Sequence, residues 1–187
     1  MRLPVDLPKA YRLMNHGPTV LVSAAHDGQR NLMAAAWAMP LDFDPPKVAV
    51  VLDKSTYTRE LVERSNRFAL NVPCVAQARL VHLVGSHSGR ETDKFADYGV
   101  HALDEPAARS PLISGCVAWL DCERLPQPEQ EQRFDLFLGQ VTGAWALDQV
   151  FNAGRWHFDG RPDELRTLHH IAGGHFFATG APVSGND

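Results

Sequence analysis

Hydrophobic and polar positions change period several times along this chain. Residues 19–25 are apolar and β-branched at the start, and read as a strand. His26-Asp27-Gly28-Gln29 supplies a turn in which Gly28 can take a positive φ. Residues 31–39 form the return strand; the alanines also suit a helix, but the hairpin signal and Pro40 favour a strand. Asp44-Pro45-Pro46 is a stiff turn, and residues 47–52 are a buried strand. Residues 57–65 set Leu61 and Val62 among Arg59, Glu60, Glu63 and Arg64, which predicts an amphipathic helix capped by Ser55 or Thr56. Residues 68–72 are a strand stopped by Pro73, and residues 76–84 a helix with Leu80, Leu83 and Val84 on one face. A polar loop, 86–90, precedes a short helix over 92–98 that ends at Gly99.

From Ile113 the β pattern returns. The longest strands are predicted over 116–124 and 134–145, separated by a loop rich in Pro, Gln and Glu. Short strands follow at 150–151 and 155–158, then one or two helical turns over 163–169, and a closing strand at 175–179. The two long strands are apolar at more positions than one face requires, which predicts burial against a second copy and hence a homodimer. Six or more strands with short helices between them predict a mainly β fold, an antiparallel barrel or sandwich with inserted helices. Strict βαβ alternation is absent. Residues 1–187 contain no repeat and no interdomain linker, so a single domain is expected.

Composition narrows the class. The 44% apolar and 21% charged fractions are those of a globular chain, and a net charge of −4 argues against a nucleic-acid binder. The longest nearly apolar run, 32–41, is half the length needed to cross a bilayer and contains Pro40. Met1-Arg2-Leu3-Pro4-Val5-Asp6 puts a charge and two prolines where a signal peptide is apolar, so no membrane association and a cytoplasmic location are expected. Cys74, Cys116 and Cys122 form no Cys-x-x-Cys pair and read as reduced core thiols.

No dinucleotide fingerprint, Walker loop, nucleophile elbow or zinc spacing is present. Four segments suit an anion or a flat ring. Lys54-Ser55-Thr56-Tyr57-Thr58 leads from a buried strand into a helix, where free N–H groups hold phosphate; it also reads simply as a well-capped helix. Residues 86–95 bring small donors, a glycine, Arg90 and Lys94 ahead of another helix; phosphate or a solvated, salt-bridged loop both fit. Residues 31–37 combine Asn31, small residues that admit a flat ligand close to the backbone, and Trp37; a packed core strand is the other reading. His169, His170 and His175 flank Gly173-Gly174 ahead of Phe176, and suit either a metal or a lid over a bound ring.

In order and spacing these segments form a larger pattern. Asn31-x-Met33-x-Ala35-Ala36-Trp37-x-Met39-Pro40 is followed by Phe43-Asp44-Pro45-Pro46 and Lys54-Ser55-Thr56-Tyr57-Thr58-x-Glu60-Leu61. Phe68-x-x-Asn71-Val72-Pro73, Ser88-Gly89-Arg90-x-x-Asp93-Lys94-Phe95, Pro111-Leu112-Ile113-x-Gly115-Cys116 and Leu136-Phe137-x-Gly139-x-Val141 complete it. The series resembles the flavin reductase-like, FMN-binding split-barrel family, and within it the flavoredoxin-type branch, over roughly residues 15–177.

That resemblance implies a Greek-key split β-barrel, dimeric, with FMN near the subunit interface. It implies that Asn31 and Trp37 lie beside the isoalloxazine, with Met33 and Ala36 giving backbone contact. Lys54, Ser55 and Thr58 match the phosphate and ribityl segment, Ser88, Arg90 and Lys94 the second flavin segment, and Phe176 the aromatic near the ring. The flavin N5 would accept hydride from NADH or NADPH, and no side-chain acid or base is needed. Electrons would pass to free flavin, ferric iron or a partner monooxygenase; the alternative is a non-catalytic electron-transfer FMN protein. Many relatives carry a histidine where this chain has Phe134, preceded by Arg133, so that polar contact is lost or taken over by Arg133.

Overall fold

In the computed structural model, residues 2–13 and 17–185 are described. After β1 (Arg2–Pro4) and a 3₁₀ turn (Leu7–Leu13) come β2 (Val20–His26), β3 (Gln29–Ala35), β4 (Ala38–Phe43) and β5 (Pro46–Val51). Helix α1 (Tyr57–Ser65), β6 (Arg67–Val72), α2 (Ala78–Ser86), α3 (Lys94–Asp97), β7 (Ala118–Leu125), α4 (Pro128–Phe134) and β8 (Leu136–Leu147) follow. The main sheet is antiparallel, in the order β3-β2-β6-β7-β8-β5-β4, with β1 added on β8. β3 and β4 lie at opposite ends of that order, yet only Ala36 and Trp37 separate them in the chain. The sheet must therefore curl until its ends meet, and the seam is covalent rather than hydrogen-bonded: a split barrel. The β2–β6 and β5–β8 pairings are the long returns of a Greek key.

The period of two sorts the strands into two cores. Val20, Val22, Phe68, Leu70, Leu120, Cys122 and Phe137 point into the barrel, where Leu61 and Val62 of α1 join them. Leu21, Ala69, Trp119 and Trp145 point outward and are covered by Val81 and Val84 of α2, Phe95 of α3 and Leu112 and Ile113. The second apolar face of the long strands is thus covered by this chain's own helices and loop. The surplus read from β7 and β8 does not call for a partner there. Within β8, Thr142 is the extra residue of a bulge: Asp121 pairs with Gly143 but Cys122 with Val141. The inward set accordingly switches from Phe137 and Val141 to Ala144 and Ala146. Gly139 is required inside, since a Cβ there would lie 2.5 Å from the Phe68 ring.

Three expectations are corrected. The strand over 31–39 is two strands, because the chain turns at Ala36 and Trp37 to reach the far end of the sheet. The loop between the long strands contains α4, with Pro128 at its first turn, Glu129 and Glu131 near its N-terminus, and Asp135 as a left-handed cap at φ 57. The predicted helix over 163–169 is one 3₁₀ turn (Asp163–Leu165), after which β11 (Leu168–Ala172) pairs with β12 (His175–Ala178). Between these regions β9 (Phe151–Asn152) and β10 (Arg155–Trp156) form a small hairpin. No helix among the described residues is long and apolar enough to cross a membrane.

Candidate functional site

The seam of the barrel opens into a cavity of about 610 Å³. Its floor is the end of β3 and the crossing that follows, Met33 to Trp37. One wall is the face of α2 carrying Val81, His82, Gly85 and Ser86. Small residues let this helix lie directly on the strand: a Cβ on Gly85 would sit 3.3 Å from that of Ala34. The opposite edge holds Val51, Asp53, Phe134 and Asp135. The β11–β12 hairpin covers the top with His170, Gly173, Gly174 and Phe176, and both turn glycines have positive φ. Gly174 rests against the His82 ring, where a Cβ would come within 2.8 Å of Nδ1.

The acidic edge is fixed by its own partners. Asp53 accepts from the Ser55 hydroxyl at 2.6 Å and the Ser55 N–H at 2.8 Å, and the Ser55 hydroxyl first of all holds its carboxyl below the usual carboxylate range. Asp135 accepts from Arg59 at 2.5 Å. Arg59 also donates to the carbonyls of Leu52 and Glu131, tying α1 to the residue that follows β5 and to α4. The cations nearest this edge, Arg59 and Lys54, are already taken up by Asp135, so it offers a phosphate no free cation and suits an uncharged ring.

A second, polar group lies one step back along β3. Asn31, 3% exposed, donates to the hydroxyl of Thr58, which is fully buried on α1. The Ser88–Arg90 loop presses on this pair so closely that a Cβ on Gly89 would fall 2.3 Å from Asn31 Oδ1. Arg90 reaches from the loop to Glu60 at 2.8 Å and lies 5.3 Å from the Tyr57 ring, both on α1.

The sequence-predicted residues therefore divide. Met33, Ala36, Trp37 and Phe176 line the cavity. Asn31, Thr58, Ser88 and Arg90 gather around the start of α1. Ser55 is engaged by Asp53, and the exposed Lys54 ammonium lies 3.7 Å from Asp135. Lys94 is 3% exposed, and its ammonium donates to the carbonyls of Leu32 at 2.9 Å and Val84 at 2.6 Å. One is a carbonyl of the end strand β3 and the other lies in the last turn of α2, where carbonyls lack helical partners. Burial pushes the Lys94 pKa down to about 8. Arg133 lies over the Phe134 ring at 5.2 Å. His169 and His170 are consecutive on β11, so they face opposite ways. Among the described residues no group of three metal-ligating side chains occurs.

Sequence reasoning passed over His82, Gly85, Asp53 and Asp135. Gly85 was the available signal: a glycine inside an apolar helix face marks a close approach.

Against known proteins this architecture has clear counterparts. The family model for the flavin reductase like domain matches residues 11–166, and the chain belongs to that family. An uncharacterised protein of Escherichia coli (strain K12), YddH, is 44% identical over 185 residues, 97% of each chain. The structure of an FMN-binding domain of a flavin reductases-like enzyme from Shewanella baltica OS155 superposes with a TM-score of 0.97 at 50% identity, covering 100% of this chain and 98% of that one. Flavoredoxin of Desulfovibrio vulgaris (Miyazaki F) shares the fold, with a TM-score of 0.75 at 24% identity over 90% of this chain and 89% of its own.

Proposed function

We propose that this protein is an FMN-dependent oxidoreductase of the flavin reductase type. The observation that carries this reading is the run of β3 from a buried polar pair, Asn31–Thr58, into an open slot of small residues ending at Trp37. A volume of about 610 Å³ is within the range of small-molecule sites. In this reading the ring lies against Met33, Ala36 and Trp37, with Phe176 and the β11–β12 hairpin excluding water from above. With Arg59 and Lys54 taken up by Asp135, the ring end offers the phosphate no free cation. Ser88 and Arg90 hold it at the start of α1, beside Asn31 and Thr58, while Lys54 and Ser55 fix the carboxylate edge. Lys94 serves as a positioning residue: it ties the carbonyl before Met33 to the carbonyl before Gly85, setting the distance between floor and wall. Bound FMN supplies the redox chemistry. NADH or NADPH is the proposed donor, and free flavin, ferric iron or a partner monooxygenase the acceptor. The proposed site of function is the cytoplasm.

The same reading includes a homodimer, for a different reason from the one the sequence suggested. Met39, Leu41 and Phe43 of β4 are 53%, 44% and 64% exposed, and Leu41 is the extra residue of a bulge, so these side chains are spread over both faces and the rim of the strand. β4 ends the sheet order, so exposed apolar side chains and an unpaired strand edge coincide next to the cavity-lining Trp37. Light scattering across a dilution series should report twice the chain mass.

The deciding experiment is flavin titration followed by steady-state oxidation of NADH and NADPH with and without added FMN. FMN binding tighter than FAD, with turnover of either nicotinamide, is the expected result. FMN binding without turnover assigns the electron-transfer role instead, and no FMN binding overturns the proposal.

A further inference from the structure

A second cavity, of about 650 Å³, lies outside the flavin site and shares no residue with it. It is lined by Asn152, Trp156, His157, Phe158, Asp159, Arg161 and residues 179–182. Its apolar side is a rigid aromatic stack. The rings of Trp156 and Phe158 lie 5.4 Å apart and 15° from parallel, and Phe151 meets Trp156 edge-on at 5.1 Å. Phe158 and Phe151 are buried in the barrel core, so the stack is anchored below. Backbone bonds from His157 to Val150 and from Arg161 to Phe158 fix the loop that carries the polar side. The far wall is fixed by Arg166, which donates to the carbonyls of Thr179 and Gly180 at 3.0 Å each.

Against this anchored frame stand two exposed charges. Arg161 and Asp159 form no side-chain hydrogen bond or ion pair among the described residues, with each other or with any neighbour. The largely buried arginines of this chain are paired, as in Arg59–Asp135, Arg124–Glu131 and Arg166–Asp163, whereas Arg161 lines a cavity with its guanidinium uncommitted. A guanidinium free beside an aromatic wall is equipped to hold an aromatic anion, by a forked bond to its carboxylate or phosphate while the ring packs on the aromatic side. The unpaired carboxylate of Asp159 is equipped to accept from a hydroxyl or amino group on the same molecule.

We infer that this cavity is a second ligand site, for a small molecule that combines a planar aromatic ring, one anionic group and one hydrogen-bond donor. A hydroxylated aromatic acid and a nucleoside monophosphate both have this chemistry, and the volume admits either. The inference is independent of the flavin reading.

The test is calorimetric titration of the full chain, saturated with FMN so that the first cavity is filled. The probes are 4-hydroxybenzoate and adenosine monophosphate, each paired with its uncharged counterpart, phenol and adenosine. At least one anionic probe should bind about tenfold or more tightly than its counterpart, the loss expected for one charge-assisted hydrogen bond. Arg161→Ala should abolish that difference and leave the FMN affinity unchanged, since Arg161 is exposed and lines no part of the flavin cavity. Binding of 4-hydroxybenzoate alone assigns an aromatic acid, and of adenosine monophosphate alone a nucleotide. If neither anion binds, or if Arg161→Ala leaves the preference for the anion within about twofold, the site does not exist. If Phe176→Leu removes the binding as well as Arg161→Ala does, the probes are reading the flavin cavity and the proposal fails.

Discussion

At one end of β3, Asn31 is buried and already bonded to Thr58, with the Ser88–Arg90 loop closed down on the pair. At the other end, Met33 to Trp37 form the floor of an open cavity, and Trp37 is 75% exposed. The same strand builds a polar half that is complete without a ligand and an apolar half that is not. The cause lies in what each group loses by waiting. A buried donor left unpaired costs about 1–3 kcal/mol, so Asn31, Thr58 and Lys94 are satisfied within the protein. An exposed ring or a short alanine run costs little, so the slot can stay open. The buried polar groups should therefore govern stability, and the exposed groups at either end of the strand, Arg90 and Trp37, affinity.

Lys94→Met tests this division most severely. It strands the carbonyls of Leu32 and Val84, so stability should fall by about 2–4 kcal/mol in denaturant titration. FMN and riboflavin should be lost alike, because floor and wall separate; selective loss of FMN would make Lys94 a phosphate ligand after all. The wild type carries a companion pH signature. Below pH 8 the lysine is protonated in both folded and unfolded chains, so its contribution is constant. From about 8 up to the ordinary value of 10.5 the unfolded chain holds a proton that the folded one has released, so stability rises with pH across that window. The rise should be missing from Lys94→Met when both proteins are unfolded at each pH.

Gly89→Ala comes next. Its Cβ must displace Asn31, and overpacking of this kind costs about 1–3 kcal/mol. A lower thermal midpoint together with weaker flavin binding is expected; an unchanged midpoint would show that the loop is not seated on Asn31.

Arg90→Ala should spare stability, since its ion pair with Glu60 is half exposed and such pairs contribute little. It should weaken FMN about tenfold and riboflavin hardly at all, as removal of one charge-assisted contact to phosphate predicts.

Trp37→Ala has the smallest expected effect. The ring is largely in solvent, so stability should stay within about 0.5 kcal/mol. Flavin affinity should drop by a factor of about 2–10, equally for FMN and riboflavin, as loss of one aromatic contact implies. A large loss of stability would place Trp37 in an interface and not at a ring.

Much of this was legible without coordinates. Helix α1 begins and ends where its amphipathic spacing places it, but the expected hydroxyl cap is not made: Thr56 at the N-cap donates back to the Asp53 carbonyl and Ser55 to the Asp53 carboxylate. Five strands of the barrel follow from β-branched runs broken by Gly and Pro. These signals are local: a period, a cap or a turn is complete within a dozen residues. The order of motifs from Asn31 to Val141 marked the family for the same reason, because each motif can be read where it stands. α4 was hidden because Pro, Gln and Glu are loop-like in composition while also suiting a first helical turn.

What sequence could not decide was direction and partnership. A run of alanines does not say that the chain will leave the sheet at Ala36 and cross to its far edge; closure of the barrel decides that. A lysine ahead of a phenylalanine does not say whether its ammonium meets a phosphate or two carbonyls; the approach of α2 to β3 decides that. Both depend on contacts between segments far apart in the chain, where the free energy of packing outweighs local preference.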